Sequence, residues 1–137
     1  MKRRKAREAA LQALYQRDIA GVGDGAKGGA VPAVRGHDKA FTALLVKGTI
    51  ERLADIDALI EKFAVHWSIA RMAVVDRNIL RLAIFELRYF EETPYRVVID
   101  EAVELAKKFG SDESGSFING ILDGISKLES STSTINS

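Results

Sequence analysis

The stretch VVDRNILRLAIFELRYF, residues 74–90, is the most apolar part of the chain and the part that decides its fold class. Its apolar residues recur at intervals of three and four, which is the spacing of an amphipathic helix. Two neighbouring faces of that helix are apolar, one formed by Val75, Ile79, Leu82 and Ala83 and the other by Leu80, Ile84 and Leu87. A helix that is apolar on more than one side is buried. The pattern therefore predicts a central helix over about 68–90.

The same spacing extends outward from this helix in both directions and predicts five more helices, with no strand. These helices are predicted to cover 3–19, 38–53, 55–63, 93–110 and about 112–125. Asp38, Asp55 and Thr93 are expected to act as N-caps, and Gly110 is expected to end the helix that Thr93 begins. The fold class is therefore predicted to be all-α, with a single domain over 1–128.

Two segments lack helical spacing. Residues 20–36 hold six of the eleven glycines together with Pro32, and this composition predicts a flexible surface loop between two helices. Residues 129–137 are polar and rich in serine and threonine, which predicts a disordered tail.

Positive charge is concentrated at the N-terminus. Five of the six residues in 2–7 are Lys or Arg, whereas the whole chain has 20 Lys+Arg against 19 Asp+Glu and a formal net charge of +1. Such a cluster binds phosphates by releasing counterions, and a solvated, frayed terminus is the alternative that this segment leaves open. The sequence leaves two roles open for Tyr15 and Phe117, because each ring suits either base stacking or packing at the core.

The sequence gives little support for metal binding or catalysis. The chain has no cysteine, and its histidines, His37 and His66, lack the spacing of a zinc site. No Gly-rich phosphate loop or nucleophile elbow is present. The carboxylates of the fifth helix lack the Glu-x-x-His pairs of a di-iron site, and Glu104 is expected to pair with nearby lysines instead. We therefore expect no catalytic site, no metal and no cofactor, and, without a long apolar run or signal peptide, a cytoplasmic protein.

Three polar residues fall where a core is expected. Arg81 lies within the apolar central helix, Glu101 lies on the fifth helix, and Asn119 directly follows Phe117 and Ile118. Buried polar groups are hydrogen-bonded. Our hypothesis is that Arg81, Glu101 and Asn119 help to tie the last three helices together.

Three segments of the chain resemble the NusB family of bacterial transcription antitermination factors. They are RRKAREAALQALYQ at 3–16, VDRNILRLAIFEL at 75–87 and TPYRVVIDEAVELAKKFGSDESGSFINGILDGI at 93–125. The third is the most specific, because it contains the EAVELAKKFG and FINGILD motifs. The resemblance implies two packed three-helix bundles and no catalysis.

The resemblance also implies partners. Family members bind the boxA segment of nascent ribosomal RNA leader transcripts as a heterodimer with NusE, a small-subunit ribosomal protein, and that complex joins NusA, NusG and RNA polymerase. The positions that match RNA-binding residues of the family are Arg3, Arg4, Arg7, Tyr15, Glu113 and Phe117. The positions that match its NusE-facing surface are Asp76 and Arg77.

Some expectations about this surface remain open. A first turn that is basic all round is expected to project from the bundle, so that Arg3, Arg4 and Arg7 all face solvent. One alternative is an RNA-binding domain related to RNA cytosine methyltransferases, some of which carry a NusB-like domain. Another is a homodimeric storage form with its RNA face masked, because the small-residue face of the first helix suits packing either inside the chain or across a two-fold axis.

Overall fold

The computed structural model describes residues 2–21, 39–90 and 92–136, and in these ranges it contains α-helices, one short 3₁₀ turn and no strand. The helices are α1 (Lys2–Ile19), α2 (Lys39–Glu51), α3 (Leu53–Phe63), α4 (Val74–Tyr89), α5 (Tyr95–Phe109) and α6 (Ser114–Asn136). The 3₁₀ turn, Ile69–Arg71, lies between α3 and α4. The predicted all-α class is confirmed.

Helix α4 is the centre of the fold, as its sequence predicts. Every residue from Asn78 to Glu86 is buried, and α4 packs against each of the five other helices. The helix begins at Val74 and not near residue 68, because Met72 and Ala73 have extended backbone angles, with ψ of 149° and 138°. The chain between α3 and α4 therefore forms a bent, largely exposed connection that includes Trp67.

The helices form two packed groups that meet at α4. Helices α4, α5 and α6 form one bundle, in which each helix contacts the other two. Helices α1 and α2 pack against each other and against α4, while α3 packs on α4 and α6. The small residues Ala6, Ala10 and Ala13 on α1 are buried inside the chain, which lets α1 lie close to its neighbours.

A partly buried ion-pair cluster fastens the C-terminal end of α1 to α4 and α3. Asp18 accepts hydrogen bonds from Nε and Nη2 of Arg77, both at 2.7 Å, from Nδ2 of Asn78 at 2.8 Å and from Nη1 of Arg81 at 2.9 Å. Arg81 also donates to both carboxylate oxygens of Asp57 on α3, at 2.8 and 2.9 Å. We call these residues the Asp18 cluster. Burial on its own would raise the pKa of Asp18, but the hydrogen bonds from Arg77 and Asn78 and the neighbouring charges bring that pKa below its ordinary value.

The hypothesis that Arg81, Glu101 and Asn119 tie the last three helices together is wrong. Arg81 lies on the side of α4 that faces α1 and α3, and it binds Asp18 and Asp57. Glu101 on α5 binds Arg4 of α1, and Asn119 is exposed on α6. Arg81 and Glu101 are paired, as expected of buried polar groups, but their partners lie on the helices of the other packed group.

The two segments predicted to be irregular have different outcomes. The backbone of helix α6 continues to Asn136, since extending an existing helix costs less than starting a new one. The disordered tail over 129–137 stays a prediction. At the start of the predicted loop 20–36, Ala20 and Gly21 form a turn in which Gly21 has a φ of 64°. The rest of that loop and the predicted N-cap Asp38 lie outside the described residues.

Gly48 marks the closest approach of α2 to α4. A Cβ atom built on this glycine would overlap the ring of Phe85. Gly48→Ala should therefore destabilise the protein by about 1–3 kcal/mol, because the ring has to move within a packed core. The matched control is Gly120→Ala on α6, where a Cβ meets nothing within 4 Å and should slightly stabilise the helix. Equal free energies of unfolding for the two variants in urea would contradict this account of the α2–α4 contact.

The Asp18 cluster should give the protein a specific sensitivity to acid. Because the pKa of Asp18 is lowered by folding, its contribution is complete above the ordinary value of 3.8 and is lost as the pH falls through the lower folded value. Asp18→Asn should cost about 1–2 kcal/mol at neutral pH, less than a fully buried pair because solvent screens part of the interaction, and this difference from the wild type should shrink below pH 3.8. Urea unfolding from pH 7 to pH 2.5 measures it, with the exposed Asp100→Asn as control. A difference that stays constant with pH would disprove the role of the Asp18 charge.

Candidate nucleic-acid and protein interface

The basic first turn of α1 does not project from the bundle as expected. Arg7 is only 4% exposed, and its Nε and Nη2 atoms donate to the two carboxylate oxygens of Glu86 on α4, at 2.8 and 2.5 Å. Its Nη1 atom lies 3.6 Å from Oε1 of Glu101 on α5. The expectation that Arg7 faces solvent is therefore wrong. The physical reason is that Glu86 on α4 and Glu101 on α5 place carboxylates next to α1 in the protein interior, so the guanidinium is buried together with a charged partner.

Arg4 lies one turn closer to solvent and is paired in a different way. Its Nε and Nη2 atoms donate to the two oxygens of Glu101, at 3.2 and 2.7 Å, while its side chain stays 45% exposed. The hydrogen bond from Arg4 lowers the pKa of the Glu101 carboxyl, and the same bond raises the pKa of Arg4. Both groups are therefore charged at neutral pH, and the pair sits at the surface.

Arg3 and Lys5 are the most available charges of this turn. Arg3 is exposed, with its guanidinium carbon 4.1 Å from the ring centre of Phe41 and 5.7 Å from that of Phe90. Such stacking holds the side chain in place without neutralising its charge. Lys5 is exposed on the opposite side of the turn. Within the described ranges no carboxylate is paired with either residue, so both can attract phosphate.

A polar groove between α5 and α6, which we call the α5–α6 groove, begins at Arg4. It has a volume of about 820 Å³. Its lining includes Arg4 of α1, Glu101 of α5, Asn119 of α6, and Ser111 and Asp112 in the turn between α5 and α6. The lining carries four carboxylates, on Asp100, Glu101, Glu104 and Asp112, and two cations, on Arg4 and Lys107. A phosphate therefore fits this groove only beside Arg4 or Lys107, and amino groups of a ligand fit beside the carboxylates.

A smaller depression lies beyond Ser111, and we call it the aromatic depression. It has a volume of about 260 Å³ and is lined by Trp67, Arg71, Met72, Ala73, Asp76, Ser111, Glu113, Ser114 and Phe117. The structure thus brings together Asp76, Glu113 and Phe117, which the sequence placed in separate functional sets. Phe117 packs against the core and also lines the depression. Its ring is therefore partly a core residue, and its role in base stacking stays a prediction.

Asp76 has an unusual environment within the aromatic depression. The residue is half-buried, and its Oδ1 atom is buried with no hydrogen-bond partner among the described residues. A buried acceptor without a donor is costly. This atom is therefore a natural point of contact for a donor group brought by another molecule.

Arg77, the neighbour of Asp76, is engaged inside the protein. Its guanidinium binds Asp18 and also donates from Nη1 to the backbone oxygen of Ile69 at 3.1 Å. Folding raises the pKa of Arg77, chiefly through the hydrogen bond to Asp18. Arg77 therefore supports the connection before α4 and is not placed as a free surface cation.

Tyr15 lines a third concave surface, the α1–α5 groove, with a volume of about 770 Å³. Its apolar lining includes Leu11, Val75 and Phe109, and Lys5 and Lys108 stand at its edges. Tyr15 is half-buried and Phe109 is 45% exposed. Because Val75 precedes Asp76 on α4, this groove and the aromatic depression lie next to each other along that helix.

Trp67, Arg71 and Phe109 are surface residues that sequence reasoning missed. Trp67 is the single tryptophan of the chain, and it is 51% exposed in the connection before α4. A large aromatic residue between polar neighbours was the available signal for it. Phe109 carried no comparable signal, because it continues the apolar spacing of α5 and its exposure depends on how α5 packs.

The described residues form neither a metal site nor a membrane-spanning helix. In residues 2–21, 39–90 and 92–136, no three His, Asp or Glu side chains are grouped so as to hold a metal ion. None of the helices described above has the length and apolar character that a membrane-spanning segment needs. The grooves around α5 and the aromatic depression are thus the surfaces that call for a functional explanation.

Comparison with known proteins gives these surfaces a context. The transcription antitermination protein NusB of Geotalea uraniireducens is 50% identical to this chain over 138 aligned positions, which cover 92% of this chain and 94% of the relative. NusB of Pelotomaculum thermopropionicum is 49% identical over 125 positions, covering 89% of this chain and 87% of the relative.

Solved structures agree with these sequence relatives. The structure of T. maritima NusB matches with a TM-score of 0.81 at 38% identity, covering 91% of this chain and 90% of that chain. A structure of the antitermination factors NusB and NusE in complex with dsRNA contains a chain that matches with a TM-score of 0.79 at 30% identity, covering 92% of this chain and 96% of that chain. The sequence model of the NusB family matches residues 4–127. The chain therefore belongs to the NusB family.

Proposed function

We propose that this protein is an RNA-binding transcription antitermination factor. It binds the boxA segment of nascent ribosomal RNA transcripts as a heterodimer with NusE, and the heterodimer joins NusA, NusG and RNA polymerase in the cytoplasm to support ribosomal RNA transcription. It acts by binding and not by catalysis. Membership of the NusB family supports the proposal, as does the structural match to a NusB that was solved together with NusE and dsRNA.

One observation about the surface carries the proposal furthest. The α5–α6 groove connects Arg4 at the start of α1 with Ser111, and Ser111 also lines the aromatic depression that contains Phe117. Cationic and aromatic side chains that are far apart in sequence therefore lie along one continuous surface. Single-stranded RNA is bound by this combination, with Arg or Lys on phosphates and aromatic rings on bases.

The roles of the RNA-binding candidates follow from their environments. Arg3, Arg4 and Lys5 contact phosphates, and Phe117 offers the face of a ring to a base. Glu113 is exposed beside Phe117 and accepts hydrogen bonds from base amino groups. Arg7 is buried, so it contributes by holding α1 in place and not by touching RNA.

The protein partner is proposed to bind at the aromatic depression and the neighbouring α1–α5 groove. NusE supplies a donor to the unpaired Oδ1 atom of Asp76, which gives this contact its specificity. Arg77 acts indirectly, by holding the connection before α4 through Asp18 and Ile69. Tyr15 lies where an RNA strand and a protein bound at Asp76 would meet, so it serves either ligand.

The alternatives left open by the sequence gain less support. The antitermination proteins cited above match this chain over about nine-tenths of their own length, which favours the antitermination function over a domain of an RNA cytosine methyltransferase. The small-residue face of α1 packs against other helices of the same chain and is therefore not exposed. A homodimeric storage form would therefore have to use another surface, such as the exposed groove residues.

RNA binding should depend on Arg3 and Lys5 through charge. With single-stranded boxA RNA in a fluorescence-anisotropy titration, replacing both by Ala should weaken binding and reduce the slope of log K against log salt by about 1.4. The control replaces Lys62 and Lys127, exposed lysines on α3 and α6, and should leave the slope nearly unchanged. Tighter binding to boxA than to a scrambled RNA, enhanced by NusE, would support the proposal. Equal, weak binding to both RNAs with or without NusE would refute it.

Association with NusE should depend on Asp76. Asp76→Lys replaces an unpaired buried acceptor with a cation and should weaken the heterodimer at least about tenfold. Isothermal titration with purified NusE measures the dissociation constant, and thermal unfolding confirms that the variant is folded. The control is Asp55→Lys, an exposed position on α3. If Asp76→Lys binds NusE as tightly as the control does, the interface lies elsewhere.

A further inference from the structure

Four charged side chains form an alternating row from the core to the surface at the N-terminal end of α1. Glu86 on α4 is buried and binds Arg7, the Nη1 atom of Arg7 lies 3.6 Å from Glu101, and Glu101 binds Arg4. The side chains become more exposed along the row, ending with Arg4 at 45%. The row contains two cations and two anions, so only its outermost member presents charge to solvent.

The hydrogen bonds of Arg4 leave one edge of its guanidinium group available. A guanidinium has five N–H donors, and Glu101 accepts from Nε and from one hydrogen of Nη2. Both hydrogens of Nη1 and the second hydrogen of Nη2 remain. These lie along the end of the planar group, where two parallel N–H bonds match two oxygens of a phosphate.

Glu101 is well placed to hold this edge in one orientation. Its side chain is almost fully buried, and it contacts both Arg4 and Arg7. The hydrogen bond from Arg4 keeps the pKa of this carboxyl below its ordinary value, so Glu101 stays ionised at neutral pH. A long arginine side chain loses much rotational freedom when it binds a ligand, and a bidentate internal contact removes part of that freedom beforehand.

We propose that Glu101 is a positioning residue for RNA binding: it holds the Arg4 guanidinium by one edge so that the outer edge can bind a phosphate of RNA lying along the α5–α6 groove. The inference rests on the proposed function. Glu101 itself does not touch the RNA; it acts by orienting Arg4. Arg4 is the residue of α1 in the lining of the groove, so a strand in the groove meets the basic turn at this side chain.

If Glu101 positions Arg4, neutralising Glu101 should change the RNA affinity in the opposite direction to the change that loss of its negative charge alone would cause. If Glu101 acted only through its charge, its neutralisation would remove repulsion and strengthen binding to polyanionic RNA. If Glu101 positions Arg4, its neutralisation weakens binding although the protein becomes more positive. Glu104, one turn along α5, lines the same groove but is exposed and only loosely paired with Lys107, at 3.5 Å. It therefore provides a matched control.

The experiment compares Glu101→Gln with Glu104→Gln in the full chain, using single-stranded boxA RNA and a scrambled RNA in anisotropy titrations. Glu101→Gln should weaken boxA binding about five- to tenfold, the loss of one oriented charge-assisted contact. Glu104→Gln should bind as tightly as the wild type or slightly more tightly. In the Arg4→Ala background, Glu101→Gln should cause no further loss, because the residue it positions is already absent.

A variant on the exposed side of the pair keeps the test decisive if Glu101→Gln unfolds. Arg4→Lys preserves the charge but lacks the planar fork, so it should bind boxA nearly as weakly as Arg4→Ala. Glu101→Gln with wild-type or tighter affinity would overturn the inference, as would Arg4→Lys with wild-type affinity. A wild-type protein that does not distinguish boxA from the scrambled RNA would instead refute the proposed function, so the two failures are distinguishable.

Discussion

The pairing of guanidinium groups with carboxylates across helices is the constraint on which the arrangement of α1 depends. Helix α1 carries arginines at its start and an aspartate near its end, and both ends meet buried partners on other helices. Glu86 and Glu101 receive Arg7 and Arg4 at one end. At the other end, Asp18 receives Arg77 and Arg81. A guanidinium left buried without its carboxylate would cost several kcal/mol, so these pairs set the depth and register of α1.

The position of α1 in turn creates the concave surfaces beside α5. With α1 held against α4 and α5, Arg4 stands at the end of the α5–α6 groove, and Tyr15 stands opposite Phe109 in the α1–α5 groove. Both grooves lie beside one helix, α5, and the aromatic depression adjoins them at Ser111 and Val75. The same ion pairs that stabilise the fold thus define where RNA and protein ligands are proposed to meet.

Internal pairing also explains how a nearly neutral chain can present a selective cationic surface. The basic cluster looks strong in sequence, but Arg7 is neutralised by Glu86 and only one edge of Arg4 remains available. Arg3 is held over Phe41 and Phe90, which keeps its charge and limits its motion. A few oriented cations attract RNA non-specifically less than a free basic tail would. Recognition of RNA therefore depends more on the positions of these cations.

The sequence alone was sufficient for features that depend on local pattern: the helical class, the central position of α4, the helix that follows Thr93 and Pro94 and ends before Gly110, and the family. Apolar spacing acts within one or two turns, so it is legible without the fold. The predicted N-caps were wrong where the structure describes them: the N-cap positions are Arg52 for α3 and Pro94 for α5, not Asp55 and Thr93, and neither makes a side-chain capping bond. Tertiary structure decided which charged groups meet. It buried Arg7 and paired Arg81 with Asp18 and Asp57. It also placed Asp76, Glu113 and Phe117 in one depression with Trp67. Such contacts join residues tens of positions apart, and their partners depend on helix rotation and depth, which periodicity leaves undetermined.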